Sequence, residues 1–137
     1  MDHLQKQIAI ICEMFHTSSL LHDDVIDHAE TRRGKTSVNC KWTQATSIQA
    51  GVYILSISTK LLAQTNNPEV IAAMSQILTD LVNGEFQQMA SKVDKQDRFQ
   101  LYLDKTFNKT ASLMANSCKS VAILANEKSN DPNIVVR

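Results

Sequence analysis

The stretch SSLLHDDVIDHAETRRG, residues 18–34, places three carboxylates at the end of an apolar segment and two arginines shortly after them. On an α-helix, residues three and four apart share a face, so Asp23 and Asp27 point the same way with Asp24 beside them. Like charges in this arrangement destabilise a helix by roughly 0.2–0.5 kcal/mol per pair, and a helix C-terminus disfavours anions. The pattern therefore predicts a compensating cation.

Two kinds of cation fit this acidic cluster. A magnesium ion takes oxygen ligands, commonly one or two carboxylates with water and substrate phosphates, so Asp23, Asp24 and Asp27 are candidate Mg²⁺ ligands. Arg32 and Arg33 would then face the phosphorylated ligand, because guanidinium groups form paired hydrogen bonds with phosphate oxygens. In the alternative, the cluster is a solvated helix end whose carboxylates pair with Arg32, Arg33 and Lys35.

The rest of the chain has the pattern of long helices. Its 137 residues include only three glycines and two prolines, and no strand-like alternation is present. Four helices are predicted, over Leu4–Asp27, 44–64, 68–91 and 97–125. Thr43 and Asn67 are the expected N-caps of the second and third helices. The second helix is apolar on nearly every side, which is typical of an element buried on several sides. The predicted fold class is all-α, a bundle of long helices.

The bulk composition excludes several classes of protein. Hydrophobic residues make up 43% of the chain, enough for a globular core. Fourteen basic and fourteen acidic side chains cancel, which argues against a nucleic-acid partner. No run of about 18 apolar residues occurs, so no transmembrane segment is predicted. Cys12, Cys40 and Cys118 form no C-x-x-C pair, which favours a reducing compartment over a disulfide framework.

Two further segments place polar groups inside predicted helices. The apolar stripe of the third helix, which includes Leu78 and Leu81, continues by helical steps to Glu85 and Gln88. Buried polar groups must be paired or wet, so this pair is either an ordinary buried hydrogen bond or part of a site. In the fourth helix, the lysine of KTASL, residues 109–113, is either a solvated side chain or a point charge beside a phosphate.

Taken together, these residues resemble the trans-type polyprenyl diphosphate synthases. The first aspartate-rich motif of that family, D-D-x-x-D followed by x-x-x-x-R-R-G, is matched in full by residues 23–34. The segments GEFQQ, residues 84–88, and KTASLMANSC, residues 109–118, also look like family segments. The amino-acid sequence of these segments is most similar to that of the long-chain decaprenyl and solanesyl enzymes of ubiquinone synthesis. The resemblance implies a partial isoprenoid synthase fold, with residues 1–137 forming part of a single polyprenyl synthase domain.

The resemblance implies a role for each candidate residue around the allylic substrate. Asp23 and Asp27 would bind Mg²⁺ that bridges the allylic diphosphate, with Asp24 in support. Arg32 and Lys109 would contact the same diphosphate. In such a reaction the allylic C–O bond breaks, and the isopentenyl double bond attacks the resulting carbocation. A proton then leaves the product.

The same resemblance implies residues for the second substrate and for the growing product. Arg33 and His16 would contact the diphosphate of isopentenyl diphosphate. The reacting centre would be lined by Thr110, Glu85 and Gln88. The product tunnel would be lined by the residues four, five and eight positions before the first aspartate, which are Ser19, Ser18 and Phe15. The two small serines favour a long product, whereas the phenylalanine would narrow the tunnel or belong to the core.

The activity implied is Mg²⁺-dependent condensation of isopentenyl diphosphate with an allylic diphosphate, giving the long side chain of ubiquinone. The resemblance also implies a mitochondrial location and a homodimer, or a heteromer with a second prenyl synthase subunit. The family's upstream substrate motif and its second aspartate-rich motif are expected outside residues 1–137. A non-catalytic truncated isoform or regulatory subunit is therefore the alternative. A terpene-cyclase-like relative and a plain helical domain are further alternatives, which the arginine pair and the KTA segment disfavour.

Overall fold

The computed structural model describes residues 3–89 and 98–129, and nearly all of them are helical. The α-helices are α1 His3–Ile26, α2 Val38–Lys41, α3 Gln44–Ala63, α4 Pro68–Met89, α5 Arg98–Thr106 and α6 Ser112–Ser129. Two short strands, β1 Thr31–Arg32 and β2 Lys35–Thr36, pair antiparallel. A π-helical turn, Phe107–Ala111, joins α5 to α6. The all-α prediction is confirmed. Among the helices described, none combines the length and the apolar character that a membrane span requires.

The predicted N-caps explain where two of the helices begin. Thr43 Oγ1 accepts a hydrogen bond from the Thr46 amide at 3.0 Å, and Asn67 Oδ1 accepts one from the Val70 amide at 2.9 Å. The predicted bounds of the first three helices are close to those of α1, α3 and α4. The predicted positions 90, 91 and 97 lie outside the described residues.

The prediction of one uninterrupted helix over 97–125 is corrected by the structure. The chain instead forms α5, the π-helical turn and α6, and α6 continues to Ser129. A π-turn accommodates one additional residue within a helical course, and no glycine or proline marks it between residues 98 and 129. Sequence periodicity therefore joined two helices whose registers differ.

The chain divides into two compact units. Within the described residues, the first unit comprises 9–64, and the second comprises 3–8, 65–89 and 98–129. The buried apolar side chains of the first unit are Ile11, Phe15 and Leu62. Those of the second unit are Ile8, Val70, Ala73, Met74, Ile77 and Leu124. Three members of the apolar stripe predicted for the third helix, Val70, Met74 and Ile77, are thus part of this core, and Leu78 and Leu81 are half-buried.

In the first unit, α1 packs against α3 through small residues. The Ser18 hydroxyl donates to the Gly51 carbonyl at 2.9 Å, and the Ser47 hydroxyl donates to the Leu21 carbonyl at 3.1 Å. Ser18, Ser47 and Gly51 are all buried. The close approach of the two backbones places the small face of α3 against α1.

In the described residues, α3 is buried where it meets α1, and part of the apolar surface predicted to be buried is exposed. Leu62 is buried, whereas four large apolar side chains of α3 are exposed, namely Ile48, Val52, Tyr53 and Ile57. The small residues Ser47 and Gly51 contact α1, so these four side chains lie away from that contact. Hydrophobicity alone does not distinguish these two faces.

The polar segment after α1 folds into a hairpin, although no strand was predicted there. Thr31 pairs with Thr36, and Arg32 pairs with Lys35. The two residues between the strands, 33 and 34, have φ of 51° and 77°. A two-residue hairpin turn with positive φ at both positions is of type I′, which favours glycine at the second. Such strands are too short to produce an alternating sequence pattern.

Candidate functional site

The acidic cluster lies at the C-terminal end of α1, in the first unit. Asp23 and Asp24 occupy the last turn of the helix, and Asp27 follows it. The helix ends at Ile26, and the turn after it contains His28, whose φ is 51°. The amide of Ala29 donates to the Asp24 carbonyl at 2.9 Å. This is the long hydrogen bond of a Schellman turn, with histidine in the left-handed position that glycine usually occupies. The turn reverses the chain, so the hairpin returns beside the acidic residues.

The hairpin delivers Arg32 to Asp24. The arginine Nε and Nη2 atoms donate to Asp24 Oδ1 at 2.9 Å and 2.5 Å. Asp24 is only 4% exposed, so this charged pair is largely shielded from water on the carboxylate side. The hydrogen bond from Asp24 raises the pKa of Arg32, and the negative charges of Asp24, Asp23 and Asp27 raise it further. Arg32 therefore remains cationic, and its fork is held beside all three carboxylates.

A small set of side-chain hydrogen bonds holds the segment that carries Arg32. The Ser37 hydroxyl donates to the Ala29 carbonyl at 2.6 Å and to the Glu30 carbonyl at 3.1 Å. The Asn39 amide donates to the carbonyls of Asp24 and Ala29, each at 3.2 Å. These bonds satisfy carbonyls at the end of α1 and tie it to α2. Sequence reasoning did not identify Ser37 or Asn39, because their partners lie across the hairpin rather than at helical spacing.

The carboxylates can be tested as ligands for the implied magnesium ion. In the part of the chain that the structure describes, no three His, Cys, Asp or Glu side chains are grouped closely enough to hold a metal ion. Asp24 is engaged by Arg32. Asp23 and Asp27 lie four residues apart and share a face at the end of α1, the first half-buried and the second exposed. Because Mg²⁺ is commonly bound by one or two carboxylates with phosphate oxygens, this donor pair fits the ion.

His16 and Arg33 occupy different places in the first unit. His16 is half-buried on α1, two turns before Asp23 and on the same helical face. Arg33 is exposed at the tip of the hairpin, in the left-handed conformation. For a long side chain at a non-glycine position this backbone is unusual and costs roughly 1–2 kcal/mol. Unusual backbone of this kind is common at ligand-binding sites.

The three candidate tunnel residues are buried to different degrees. Phe15 is 1% exposed and belongs to the core of the first unit. Ser18 is also buried, and its hydroxyl faces the Gly51 carbonyl of α3. Ser19 is half-buried, and its hydroxyl donates to the carbonyl of His16 at 2.9 Å. Ser19 is therefore the member of this set where an added side chain would meet the fewest packed neighbours.

A second cluster of charged groups lies in the second unit. Lys109 Nζ is 2.7 Å from Glu85 Oε1 and donates to Gln88 Oε1 at 3.1 Å. All three side chains are half-buried, and Thr110 beside the lysine is exposed. The structure thus brings together Lys109, Glu85 and Gln88, which sequence periodicity had placed on two separate helices. The polar end of the α4 stripe is paired, as burial requires.

The π-helical turn packs closely on α4 at Gly84. A Cβ atom built at this glycine would lie 3.2 Å from the Lys109 amide nitrogen and 3.3 Å from Asn108 Cβ. The Asn108 side-chain amide also donates to Gln87 Oε1 at 3.2 Å. The absence of a side chain at Gly84 therefore allows the backbone of the turn to approach α4. That approach places the lysine amine beside Glu85.

Two buried oxygens of the described residues have no hydrogen-bond donor, Glu85 Oε2 and Asn39 Oδ1. A buried oxygen without a donor is uncommon in folded proteins, and bound water or ligand is a frequent explanation. Glu85 belongs to the cluster around Lys109, and Asn39 belongs to the polar contacts that hold the segment carrying Arg32. Each candidate cluster thus has an acceptor available to a further group.

The family of the chain follows from comparison with known proteins. A family model described as "Polyprenyl synthetase" matches residues 1–135. The chain belongs to this family, and the resemblance noted from its motifs is confirmed.

Similar proteins include long-chain synthases of several eukaryotes. The human all trans-polyprenyl-diphosphate synthase is 52% identical over 120 residues, which are 88% of this chain and 29% of that protein. The decaprenyl-diphosphate synthase subunit 1 of Schizosaccharomyces pombe is 44% identical over 126 residues, 88% of this chain and 33% of that protein. The chain therefore spans about a third or less of the length of these relatives.

Solved structures of the same family have the same fold. The octaprenyl pyrophosphate synthase of Helicobacter pylori matches with a TM-score of 0.83 and 30% identity, over 92% of this chain and 42% of that one. The polyprenyl synthase of Caulobacter crescentus, complexed with calcium and isoprenyl diphosphate, matches with a TM-score of 0.80 and 29% identity. That match covers 88% of this chain and 37% of the bacterial one. The isoprenoid synthase fold predicted from the resemblance is therefore confirmed.

Proposed function

We propose that the protein takes part in long-chain trans-polyprenyl diphosphate synthesis, in which isopentenyl diphosphate condenses with an allylic diphosphate. Residues 1–137 would be part of a single polyprenyl synthase domain. Family membership supports a prenyltransferase activity. The names of the similar decaprenyl and solanesyl enzymes support a long product and, through it, a role in forming the ubiquinone side chain.

The observation that carries this proposal is the Arg32–Asp24 pair. A carboxylate orients the arginine through Nε and Nη2, which leaves the Nη1 side of the guanidinium directed away from that bond. The same guanidinium is under the influence of Asp23 and Asp27. A fixed cationic fork beside two further carboxylates suits a diphosphate that arrives with a divalent ion.

The candidate residues around the allylic diphosphate would have separate roles. Asp23 and Asp27 would hold Mg²⁺, which when bound supplies charge neutralisation for the departing diphosphate. Arg32, positioned by Asp24, would donate to the oxygens of the allylic diphosphate. Lys109 would add a point charge to the same group, and the Caulobacter relative in complex with isoprenyl diphosphate is consistent with a diphosphate ligand in this family.

The remaining candidate residues would serve the second substrate and the reacting centre. Arg33 and His16 would contact the diphosphate of isopentenyl diphosphate. Glu85 presents a buried oxygen without a donor, so it can accept a hydrogen bond from a bound group near the reacting atoms. Gln88 and Thr110 would line the same space, the first through its contact with Lys109.

The test is incorporation of labelled isopentenyl diphosphate by the natural full-length protein, with an allylic diphosphate and magnesium. Arg32→Lys keeps the charge but loses the fork, so we expect kcat/KM to fall about tenfold to hundredfold. Lys35→Gln removes an exposed cation from the same hairpin and is the matched control, with activity close to that of the wild type. Equal activity of Arg32→Lys and Lys35→Gln would contradict the assigned role of the pair.

Location and assembly follow from relatives alone. The solanesyl-diphosphate synthase 1 of Oryza sativa and the probable hexaprenyl pyrophosphate synthase of Yarrowia lipolytica are both named mitochondrial, and we infer the same location here. The name of the Schizosaccharomyces relative includes "subunit 1", which supports a heteromer with a second prenyl synthase subunit. A homodimer is the other assembly expected. Labelling assays with and without a candidate partner subunit distinguish the two.

A second candidate is a non-catalytic truncated isoform or regulatory subunit. It is supported by the exposed apolar side chains of α3, because such a surface suits contact with another helix. This form would bind a catalytic subunit and alter its rate without transferring prenyl groups itself. Activity of the isolated chain with magnesium and both substrates would exclude it.

A further inference from the structure

A buried carboxylate in the second unit is bound to the helix that follows the lysine. Asp80 lies on α4 next to the core residue Ile77 and is only 9% exposed. Its Oδ1 atom accepts from Gln76 Nε2 at 2.7 Å, and its Oδ2 atom accepts from the Ser112 hydroxyl. A buried carboxylate is destabilising unless its oxygens are satisfied. Here the oxygens are satisfied partly by α6, so the carboxylate links two helices.

The linkage falls where the helical register changes. Ser112 is the first residue of α6, and its amide donates to the Phe107 carbonyl, five residues back, which closes the π-helical turn. The Ser112 hydroxyl also accepts a hydrogen bond from Asn116 Nδ2 at 3.1 Å. In an α-helix each residue advances by about 100°, so gain or loss of the one extra residue of a π-turn would rotate the side chains before it by that amount. Lys109 lies within this turn, so contacts that hold Ser112 in place also bear on the direction of the lysine side chain.

The same face of α4 carries the groups that the lysine reaches. Asp80, Gly84 and Gln88 follow one another at helical spacing. Asp80 binds Ser112, Gly84 admits the turn, and Gln88 accepts from Lys109. The linkage thus lies two turns of α4 from the oxygen that receives the lysine amine.

We propose that Asp80 and Ser112 are positioning residues, which hold the π-helical turn in the register that brings the Lys109 amine onto Glu85 and Gln88. The proposal rests on the proposed function only in giving Lys109 a diphosphate to bind. It assigns no contact with substrate to Asp80 or Ser112 themselves. It predicts that their loss acts on the lysine, and through it on the allylic substrate.

Chemical labelling of lysine tests the geometry without relying on activity. In the full-length protein, Ser112→Ala removes a single oxygen and should raise the rate at which an amine reagent modifies Lys109. The expected increase is about threefold or more, the factor that one lost hydrogen bond corresponds to. Lys119, exposed on α6, serves as the internal standard, and peptide mass spectrometry measures both rates.

Matched variants separate the linkage from general damage. Ser120→Ala removes another fully buried hydroxyl from α6, one that donates only within its own helix, to the Asn116 carbonyl at 2.8 Å. This variant should leave the labelling of Lys109 unchanged. Asp80→Asn retains the shape of the side chain and can still bond to both Gln76 and Ser112, so Lys109 should be labelled at nearly the wild-type rate. In Asp80→Ala, Lys109 should be labelled at the rate seen in Ser112→Ala. If Asp80→Ala does not fold, the comparison of the two serine variants decides.

Kinetics provides a second readout that simple destabilisation would not produce. Ser112→Ala should raise KM for the allylic diphosphate about tenfold, as expected for loss of a charge-assisted contact, with KM for isopentenyl diphosphate nearly unchanged. A smaller active fraction would instead lower kcat with both KM values unchanged, and would count against the proposal. Unchanged labelling in both Ser112→Ala and Asp80→Ala would overturn it. Wild-type protein that labels as expected but shows no transfer with magnesium would refute the proposed function and leave the positioning role standing.

Discussion

Adding one methyl group at Gly51 should disturb the helix that carries the acidic cluster. A Cβ atom at this position would lie 2.7 Å from His22 Cδ2 and 3.1 Å from His22 Cε1. Both distances are well inside ordinary carbon–carbon contact. His22 directly precedes Asp23 on α1, so a shift of the imidazole or of the helix acts on the aspartates. The structure therefore predicts that Gly51→Ala lowers both stability and magnesium-dependent substrate binding.

The size of the effect follows from the two ways in which the clash can be relieved. If the helices separate, overpacking of a tight contact costs about 1–3 kcal/mol. If the ring instead rotates away, it loses the contact between His22 Nε2 and the Ile48 carbonyl at 3.2 Å, which costs about 0.5–1.5 kcal/mol. Separation would also lengthen the hydrogen bond from Ser18 to Gly51. Alanine favours the interior of α3 over glycine by about 1 kcal/mol, so we expect a net loss of up to about 2 kcal/mol in the free energy of unfolding and a coupling of about 0.5 kcal/mol or more between Gly51→Ala and His22.

Urea denaturation followed by circular dichroism measures this loss, and a double variant tests its cause. His22→Ala removes the ring that meets the added methyl group, so Gly51→Ala should cost far less in that background. Gly34→Ala is a useful contrast, because nothing lies within 4 Å of a Cβ there while its φ is +77°, and its cost of about 1 kcal/mol should not depend on His22. Equal effects of Gly51→Ala with and without His22 would refute the steric reasoning.

Three further predictions concern the product, a helix cap and pH. Ser19→Phe in the full-length enzyme should shorten the product, because the half-buried Ser19 can admit a ring on the candidate tunnel face; unchanged product lengths on chromatography would argue against a tunnel there. Asn67→Ala should lower the free energy of unfolding by about 1 kcal/mol, since it removes the acceptor of the Val70 amide, and a loss indistinguishable from that of exposed Gln64→Ala would show that the cap contributes nothing. The pKa of Arg32 is raised in the folded state. The stability that its ion pair contributes is therefore present below the unfolded-state pKa and is lost only as pH rises through the folded-state pKa. That pKa lies far above the working pH range. The stability difference between wild type and Arg32→Gln should thus be constant between about pH 6 and 9, and a slope in urea titrations would point to another titrating group.

The sequence by itself determined the helices and the family. Few glycines and prolines, with caps at Thr43 and Asn67, specify where helices begin because these signals act over three or four residues. The D-D-x-x-D and R-R-G spacing indicated a diphosphate-binding family because it is a local pattern of chemistry. The polar interruption of the α4 stripe likewise pointed to Glu85 and Gln88.

Only the tertiary structure decided which groups meet. It joined Arg32 to Asp24 through a hairpin whose turn depends on positive φ at two residues, and periodicity does not report such a turn. It also turned the small face of α3 toward α1 and linked Asp80 to Ser112. The physical reason is that these partners are not at helical spacing: a turn brings Arg32 to Asp24, and the other pairs lie on different helices, where burial and shape rather than local propensity determine the partner.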